Sequence, residues 1–327
     1  MIYCYFGDYN SDYPRNRVNI KNLKNQNKVL ICNYFDKKFY FNKFLALKKI
    51  FVLIKKYNKI KNKYDKLIIG YSDSKLIVLL AKLLSKKYLI WDAFYSKYQT
   101  YVFDKRIIKV GSLKAKICWF FDWLSCKLAD EIWLDTNEHI KYFVKEFRID
   151  VHKFKKVPVE TDREIFYPKK VERSDNNFLI HFHGKYIPLQ GVEYIIRAAK
   201  ILEKYSKIKF NLIGNGQDKK ECLKLAKQLS IKNINFIDCV PYKDLANYIN
   251  KSDICLGIFG NTQKTKMVIP NKVIEALACD KPIITGDTPA IHEISDNNVI
   301  LCNIADPEDL ANKILNNYKI KYGEKNN

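Results

Sequence analysis

Residues 253–293 read DICLGIFGNTQKTKMVIPNKVIEALACDKPIITGDTPAIHE. Their order is strand, polar loop, helix, strand, loop. Asp253–Ile258 has the composition of a short apolar strand, and Gly257 and Gly260 let the backbone turn out of it. Asn261 to Val268 is polar and basic. Pro270 is expected at the first helical position, where its missing N–H costs nothing. Val273, Ile274, Leu277 and Ala278 fall at helical spacing and predict a buried face. Lys281–Thr285 is the next strand. The opening of this helix offers free backbone N–H groups and a positive dipole end, which suit a phosphate. Lys264, Lys266 and Lys272 add cations, and Glu275 places a carboxylate one turn in. On residue types alone, Glu275 either accepts hydrogen bonds from a vicinal diol such as a ribose or lies on the wet face of an ordinary strand–helix–strand unit.

Working outward, strand-like and helix-like segments alternate along the chain, which predicts parallel sheets with right-handed crossovers. Expected strands include 1–6, 28–32, 67–70, 88–91, 131–135 and 156–159 in the first half, and 178–183, 209–213, 234–237, 254–258, 282–285 and 298–301 in the second. The segment after residue 159 reads as a linker up to Pro168. The division is therefore 1–168 and 169–327. With 327 residues and 47% hydrophobic content, two packed cores are expected. No stretch approaches the ~20 uncharged apolar residues of a membrane span, and MIYCYF at the start reads as a strand and not a signal peptide. Nine scattered cysteines, with no C-x-x-C pair, suggest reduced thiols in a cytoplasm and neither zinc nor disulfides.

The formal net charge is +23, and residues 37–88 hold 15 of the 58 Lys and Arg against 2 of the 35 Asp and Glu. Such a field attracts polyanions. The bias toward Lys, Asn, Ile and Tyr is what an AT-rich genome produces, but it does not explain that concentration. Residues 39–57 read as a helix with Leu47, Ile50, Phe51 and Ile54 on one face and lysines on another, which suits an interfacial helix on anionic lipid. Nucleic acid is not expected, because its readers interleave stacking aromatics and basic residues on an exposed face, whereas residues 39–57 place aromatics on the apolar helix face.

Three further stretches bear chemistry. His183-Gly184-Lys185 ends a strand, and Gln190-Gly191 opens the next helix. Gly214-Asn215-Gly216 is a glycine turn between strand and helix. In YFGDYNSDYPRNRV, Gly7 ends the first strand, while Arg15 and Arg17 either bind an acceptor phosphate or pair with Asp8 and Asp12. Asp92, at the end of a strand, is a candidate polar contact. His181 reads as a core histidine, and His139 as a helix-start residue near Thr136.

The 253–293 stretch resembles the donor-binding segment of retaining glycosyltransferases of family 4, through Pro270, Asn271, Glu275, Ala276, Leu277, Ala278, Lys281, Pro282 and Ile283. The resemblance implies the GT-B fold: α/β, with two Rossmann-like doubly wound domains facing across a cleft, the acceptor on the first and the donor on the second. The last helix is expected to be able to pack back on the first domain. The family's first motif glutamate falls on Met267, and Glu275 matches the second, which holds the nucleotide ribose. VIPNK-x-x-EALA resembles a bacterial subset lacking the first. Lys185 matches the family's diphosphate arginine. Gln190 falls where the family has a lysine, so Lys272, or Lys264 and Lys266, would have to replace that charge.

By this resemblance Lys185 and Asp92 are catalytic candidates. Donor contacts fall on Gly7, His183, Gly184, Gln190, Gly214, Gly216, Lys266, Pro270, Asn271, Lys272 and Glu275, and acceptor contacts on Arg15 and Arg17. The implied activity is metal-independent transfer of a sugar from a nucleotide diphosphate donor to a lipid-linked or glycan acceptor, without a cofactor. The setting is bacterial surface polysaccharide or glycolipid synthesis, in the cytoplasm or on the inner face of the membrane. A binding subunit without transfer activity, a nucleic-acid binder driven by charge and a sugar-nucleotide epimerase of the same fold are the alternatives.

Overall fold

A computed structural model describes residues 1–35, 43–72 and 74–323, without the side chains of residues 43–47. The chain forms two compact units, residues 1–160 and 161–327.

In the first unit six parallel strands, β1 (Ile2–Gly7), β2 (Lys28–Asn33), β3 (Lys66–Ile69), β4 (Tyr88–Phe94), β5 (Glu131–Leu134) and β6 (Phe154–Lys156), lie in the order β2-β1-β3-β4-β5-β6. Helices α1 (Pro14–Gln26), α2 (Lys43–Asn58), α3 (Leu76–Leu84), α4 (Leu113–Leu128) and α5 (Asn137–Phe147) connect them. One face of the sheet buries Cys4, Phe6, Leu67, Ile69, Leu89 and Trp91 under α2 and α3, the alternation a two-sided sheet requires. The last strand sits earlier than 156–159. Val157 still donates to the Leu134 carbonyl, but Pro158 has no N–H to extend the ladder.

The second unit repeats the plan. Strands β7 (Phe178–His183), β8 (Ile208–Ile213), β9 (Ile234–Ile237), β10 (Ile254–Leu256), β11 (Ile283–Gly286) and β12 (Val299–Cys302) run parallel in the order β12-β11-β10-β7-β8-β9. Helices α6 (Val192–Ile201), α7 (Lys219–Gln228), α8 (Leu245–Lys251), α9 (Asn271–Ala278) and α10 (Pro307–Tyr322) cover both faces. From β7 the chain winds one way through β8 and β9. It then returns beside β7 as β10 and winds the other way. The crevice between the ends of β7 and β10 is thus the topological switch point, where such sheets bind ligands.

Two expectations change, for residues 161–168 and for helix α2. The segment 161–168 is no linker: Phe166 is fully buried against Ala246, Ile249 and Val273, which attaches it to the second unit. Helix α10 packs within the second unit, burying Leu310, Ala311, Ile314 and Tyr318 with Phe178 and α6. Helix α2 turns Leu53 and Tyr57 inward, with Ile50 and Ile54 half-buried, while Phe51 is exposed. Residues 39–42 of the expected helix lie outside the described residues. No helix among the described residues is long and apolar enough to cross a membrane.

Candidate active site in the second unit

Strand β7 delivers His181 and His183 to one face, two residues apart. The chain then turns at Gly184, whose φ of 155° only glycine adopts without strain. A Cβ there would lie 2.8 Å from Lys272 Nζ and 3.3 Å from Gln190 Oε1. The turn after β8 packs directly against it: a Cβ on Gly214 would lie 1.9 Å from the Gly184 carbonyl oxygen. Tyr186 N–H donates to the Asn215 carbonyl at 3.0 Å, and Gly216 backs onto Tyr186. The two glycine turns singled out in the sequence therefore form one stacked backbone platform at the carboxyl ends of β7 and β8.

Helix α9 faces that platform. It starts at Asn271, one residue later than expected. Pro270 is the extended N-cap residue, and its carbonyl accepts from Val273 N–H at 2.9 Å. Residues 264–267 form a single 3-10 turn held by Thr262 and Thr265, whose hydroxyls lie 2.9 Å apart. Lys264 and Met267 are buried, and Lys266 is exposed. The buried face of α9 includes Lys272, Val273, Glu275, Ala276 and Ala278, while Ile274 and Leu277 are only half-buried. Glu275 is thus inside, not on a wet face.

Lys272 sits at the switch point. Its Nζ donates to Gln190 Oε1 at 2.5 Å and to the Gly257 carbonyl at 3.4 Å, and lies 3.7 Å from the centre of the Phe182 ring. The side chain that the sequence places at the wrong position for a phosphate lysine is therefore met by a lysine from another element, 82 residues away. Burial pushes the Lys272 ammonium well below its ordinary value, and Glu275 opposes that push.

Glu275 is held from two sides. His183 Nε2 lies 2.8 Å from Oε2, and the Tyr242 hydroxyl donates to Oε1 at 2.7 Å. His181 Nε2 lies 2.9 Å from His183 Nδ1. With Glu275 a carboxylate and His183 a neutral imidazole, His183 donates from Nε2 and its Nδ1 accepts from His181 Nε2–H. His181 Nδ1 is then bare, and it is buried without a partner. Burial, His183 and Lys272 hold the His181 pKa well below its ordinary value. The unfolded chain therefore binds a proton at His181 that the folded chain refuses. Stability is expected to fall as pH drops below about 6.5 and to level off once the folded imidazole titrates. Thermal unfolding between pH 7.5 and 5 checks this. His181→Gln, which keeps an N–H toward His183, is expected to flatten that dependence; an unchanged slope would assign it to other groups.

The other predicted residues are placed as follows. Lys185 is exposed just past the Gly184 turn, and Asn271 is half-buried at the first turn of α9. In the first unit Gly7 ends β1 with φ 143°. Asp92 is 1% exposed and taken up internally: Arg15 Nε lies 2.7 and 2.9 Å from its two oxygens, and Asn19 Nδ2 donates to it at 3.0 Å. That pairing corrects both alternatives for Arg15, and it removes Asp92 from the groups open to a reacting ligand. Asp8 pairs with Lys49 from α2, and Arg17 is half-buried. His139 donates its backbone N–H to the Thr136 hydroxyl at 3.1 Å, as a helix-start residue should, and its ring Nδ1 lies 2.5 Å from Asp135. Tyr242 was not singled out individually; it lies in residues 238–244, which the resemblance places beside the nucleotide base. The shared face of His181 and His183 was the available sign of the buried relay.

Comparison with known proteins agrees with this geometry. Residues 163–325 match the family described as Glycosyl transferases group 1. The chain is 25% identical to "Uncharacterized glycosyltransferase MJ1059" of Methanocaldococcus jannaschii, over 93% of this chain and 73% of that protein. Among solved structures it resembles sucrose-phosphate synthase of Thermosynechococcus elongatus, with TM-score 0.70, 13% identity, and 96% and 88% of the two chains covered. It also resembles Anabaena Alr3699/HepE in complex with UDP and glucose, with TM-score 0.69, 13% identity, and 99% and 90% covered. Two Rossmann-like units and these neighbours give the chain a GT-B fold, and its residues 163–325 match the glycosyl transferases group 1 family.

Proposed function

We propose that this chain is a retaining glycosyltransferase of the family 4 type. It takes a sugar from a nucleoside diphosphate donor held by the second unit and passes it to a hydroxyl acceptor, without a metal ion. The observation that carries this reading is Lys272, a buried lysine whose Nζ meets the Gln190 amide oxygen and the Gly257 carbonyl, placed at the switch point against the Gly184 turn. A diphosphate there meets Lys272, the exposed Lys185 and the start of α9. Charge builds up on the leaving diphosphate as the glycosidic bond breaks. Fixed cations and N–H dipoles in a water-poor site stabilise it more than they stabilise the ground state. Glu275, aligned by His183 and Tyr242, accepts from the ribose hydroxyls. The UDP bound in the Anabaena structure supports a nucleotide ligand of this kind.

The role proposed for the acceptor side is surface polysaccharide or glycolipid assembly at the inner face of a bacterial membrane. The charge of residues 37–88 supports attraction to an anionic surface. Met267, where a sugar-binding glutamate would stand, favours one second reading: a binding subunit that holds nucleotide without transferring sugar.

One experiment tests both. Calorimetry with UDP and GDP, followed by assays of donor turnover, should show binding and release of the nucleoside diphosphate. Glu275→Gln is expected to weaken binding by about 1–3 kcal/mol, the scale of a charge-assisted hydrogen bond. Tyr242→Phe, which removes only the internal contact, should cost less. Equal affinity for Glu275→Gln and the parent chain would refute the ribose assignment; binding without turnover would favour the subunit.

A further inference from the structure

Helix α4 carries apolar side chains on two faces: Trp119, Trp123 and Leu128 pack against the core of the first unit, and a second set points outward. Toward the first unit it buries Ala115, Asp122, Ser125 and Cys126. Outward it shows Leu113 and Phe120, 74% and 46% exposed, with Ile117 at 45% between them. At about 100° per residue these three and the half-buried Leu124 fall within a sector of roughly 60°. Lys114 and Lys116 flank that stripe on its two sides, and both are exposed. The loop leading into the helix continues the pattern, with Ile107 59% and Val110 60% exposed beside exposed Arg106 and Lys109. Residues 105–121 hold five Lys and Arg and no Asp or Glu. Asp104 and Asp122, at the two ends, are buried.

Water is a poor partner for a leucine-isoleucine-phenylalanine stripe, and the folding of α4 gains nothing from leaving it outside. We propose that this face, residues 106–120, is the surface by which the chain docks on an anionic lipid bilayer. Apolar side chains enter the acyl boundary while the flanking cations meet phosphate headgroups. A second copy of the chain fits less well, because a two-fold contact through this face would set its cations against their own kind. The site lies outside the basic segment 37–88. Helix α2 there turns Leu53 and Tyr57 into the core and ties Lys49 and Lys56 to Asp8 and the Asn33 carbonyl, and among its described side chains Phe51 alone is a large exposed apolar group.

Co-sedimentation with vesicles tests this on the whole chain, using phosphatidylcholine with and without phosphatidylglycerol. Binding is expected only with phosphatidylglycerol and should weaken as salt rises. Changing Leu113, Ile117 and Phe120 together to Ser is expected to lower the partition constant roughly tenfold or more. Changing Arg106, Lys109, Lys114 and Lys116 to Gln should lower it by roughly a hundredfold. These residues are all exposed, so circular dichroism should show the fold intact. Changing Lys48 and Lys55 to Gln should lower binding less than the α4 set. Equal binding to both vesicle types, no binding, or a larger effect from the α2 set would each overturn the proposal. So would a dimer in the ultracentrifuge that the serine variant dissolves, which would make the face an interface between copies. The readout needs no donor or acceptor, so it stands or falls apart from the transfer reaction.

Discussion

Arg15→Ala is expected to destabilise the first unit by about 3–5 kcal/mol, the cost of removing one partner from a buried ion pair. Arg15 is 5% exposed and grips Asp92 with Nε, donates from Nη1 to the Val157 carbonyl at 3.1 Å, and stacks at 4.6 Å on the Phe94 ring. Without it, Asp92 keeps only the Asn19 amide in a site closed to water, and the carbonyl after β6 loses a donor. The contact joins α1, β4 and the end of β6, so its loss loosens the carboxyl edge of the sheet. All four tryptophans, at 91, 119, 123 and 133, lie in this unit, so urea unfolding followed by tryptophan fluorescence reports on it alone. The double variant Arg15→Met, Asp92→Leu removes both charges together and is expected to recover much of the loss. A cost below about 1 kcal/mol for Arg15→Ala would mean that the pair behaves as an exposed one.

What the sequence made legible, and what it did not, divides along physical lines. The strands could be read because burial on both faces of a parallel sheet demands continuous apolar runs, such as FLIHFH in β7 and KLII in β3. The glycine turns could be read because close backbone approach excludes a Cβ, as Gly214 against Gly184 shows. Pairings between distant residues could not. Nothing in the spacing of Arg15 and Asp92 marks them as partners across 77 residues, and the nearer Asp8 and Asp12 were equally plausible. One helix face was misjudged where propensity and burial part company: α2 hides Leu53 and Tyr57 while exposing Phe51. A hydrophobic stripe on a helix shows only that some apolar partner is wanted, and the sheet beneath is only one such partner.

Lys272→Met is expected to lower kcat/KM for donor turnover by roughly 10²–10³-fold, the usual cost of removing one group aimed at developing charge. A charge has moved between elements. Gln190 stands where the resemblance calls for a lysine, and Lys272 Nζ reaches its Oε1 from α9. Two consequences follow that an ordinary surface lysine would not produce. First, Gln190→Lys alone should not speed the reaction, because it sets a second cation against Lys272 at 2.5 Å range. The exchange Gln190→Lys with Lys272→Gln should restore much of the rate lost in Lys272→Gln alone, since the charge returns to the same point. Second, binding should take up a proton. Burial holds the Lys272 pKa well below its ordinary value in the empty site, whereas a diphosphate beside it favours the ammonium. The complex therefore holds more protons than the free protein between the lowered value and about 10.4, and affinity falls as pH rises through that window. Calorimetry of nucleoside diphosphate binding in buffers of different ionisation enthalpy measures the uptake directly. It should be positive and vanish in Lys272→Met. Proton release on binding, or a Lys272→Met enzyme within about twofold of the parent (a difference below ~0.5 kcal/mol in transition-state stabilisation), would remove Lys272 from the phosphate site.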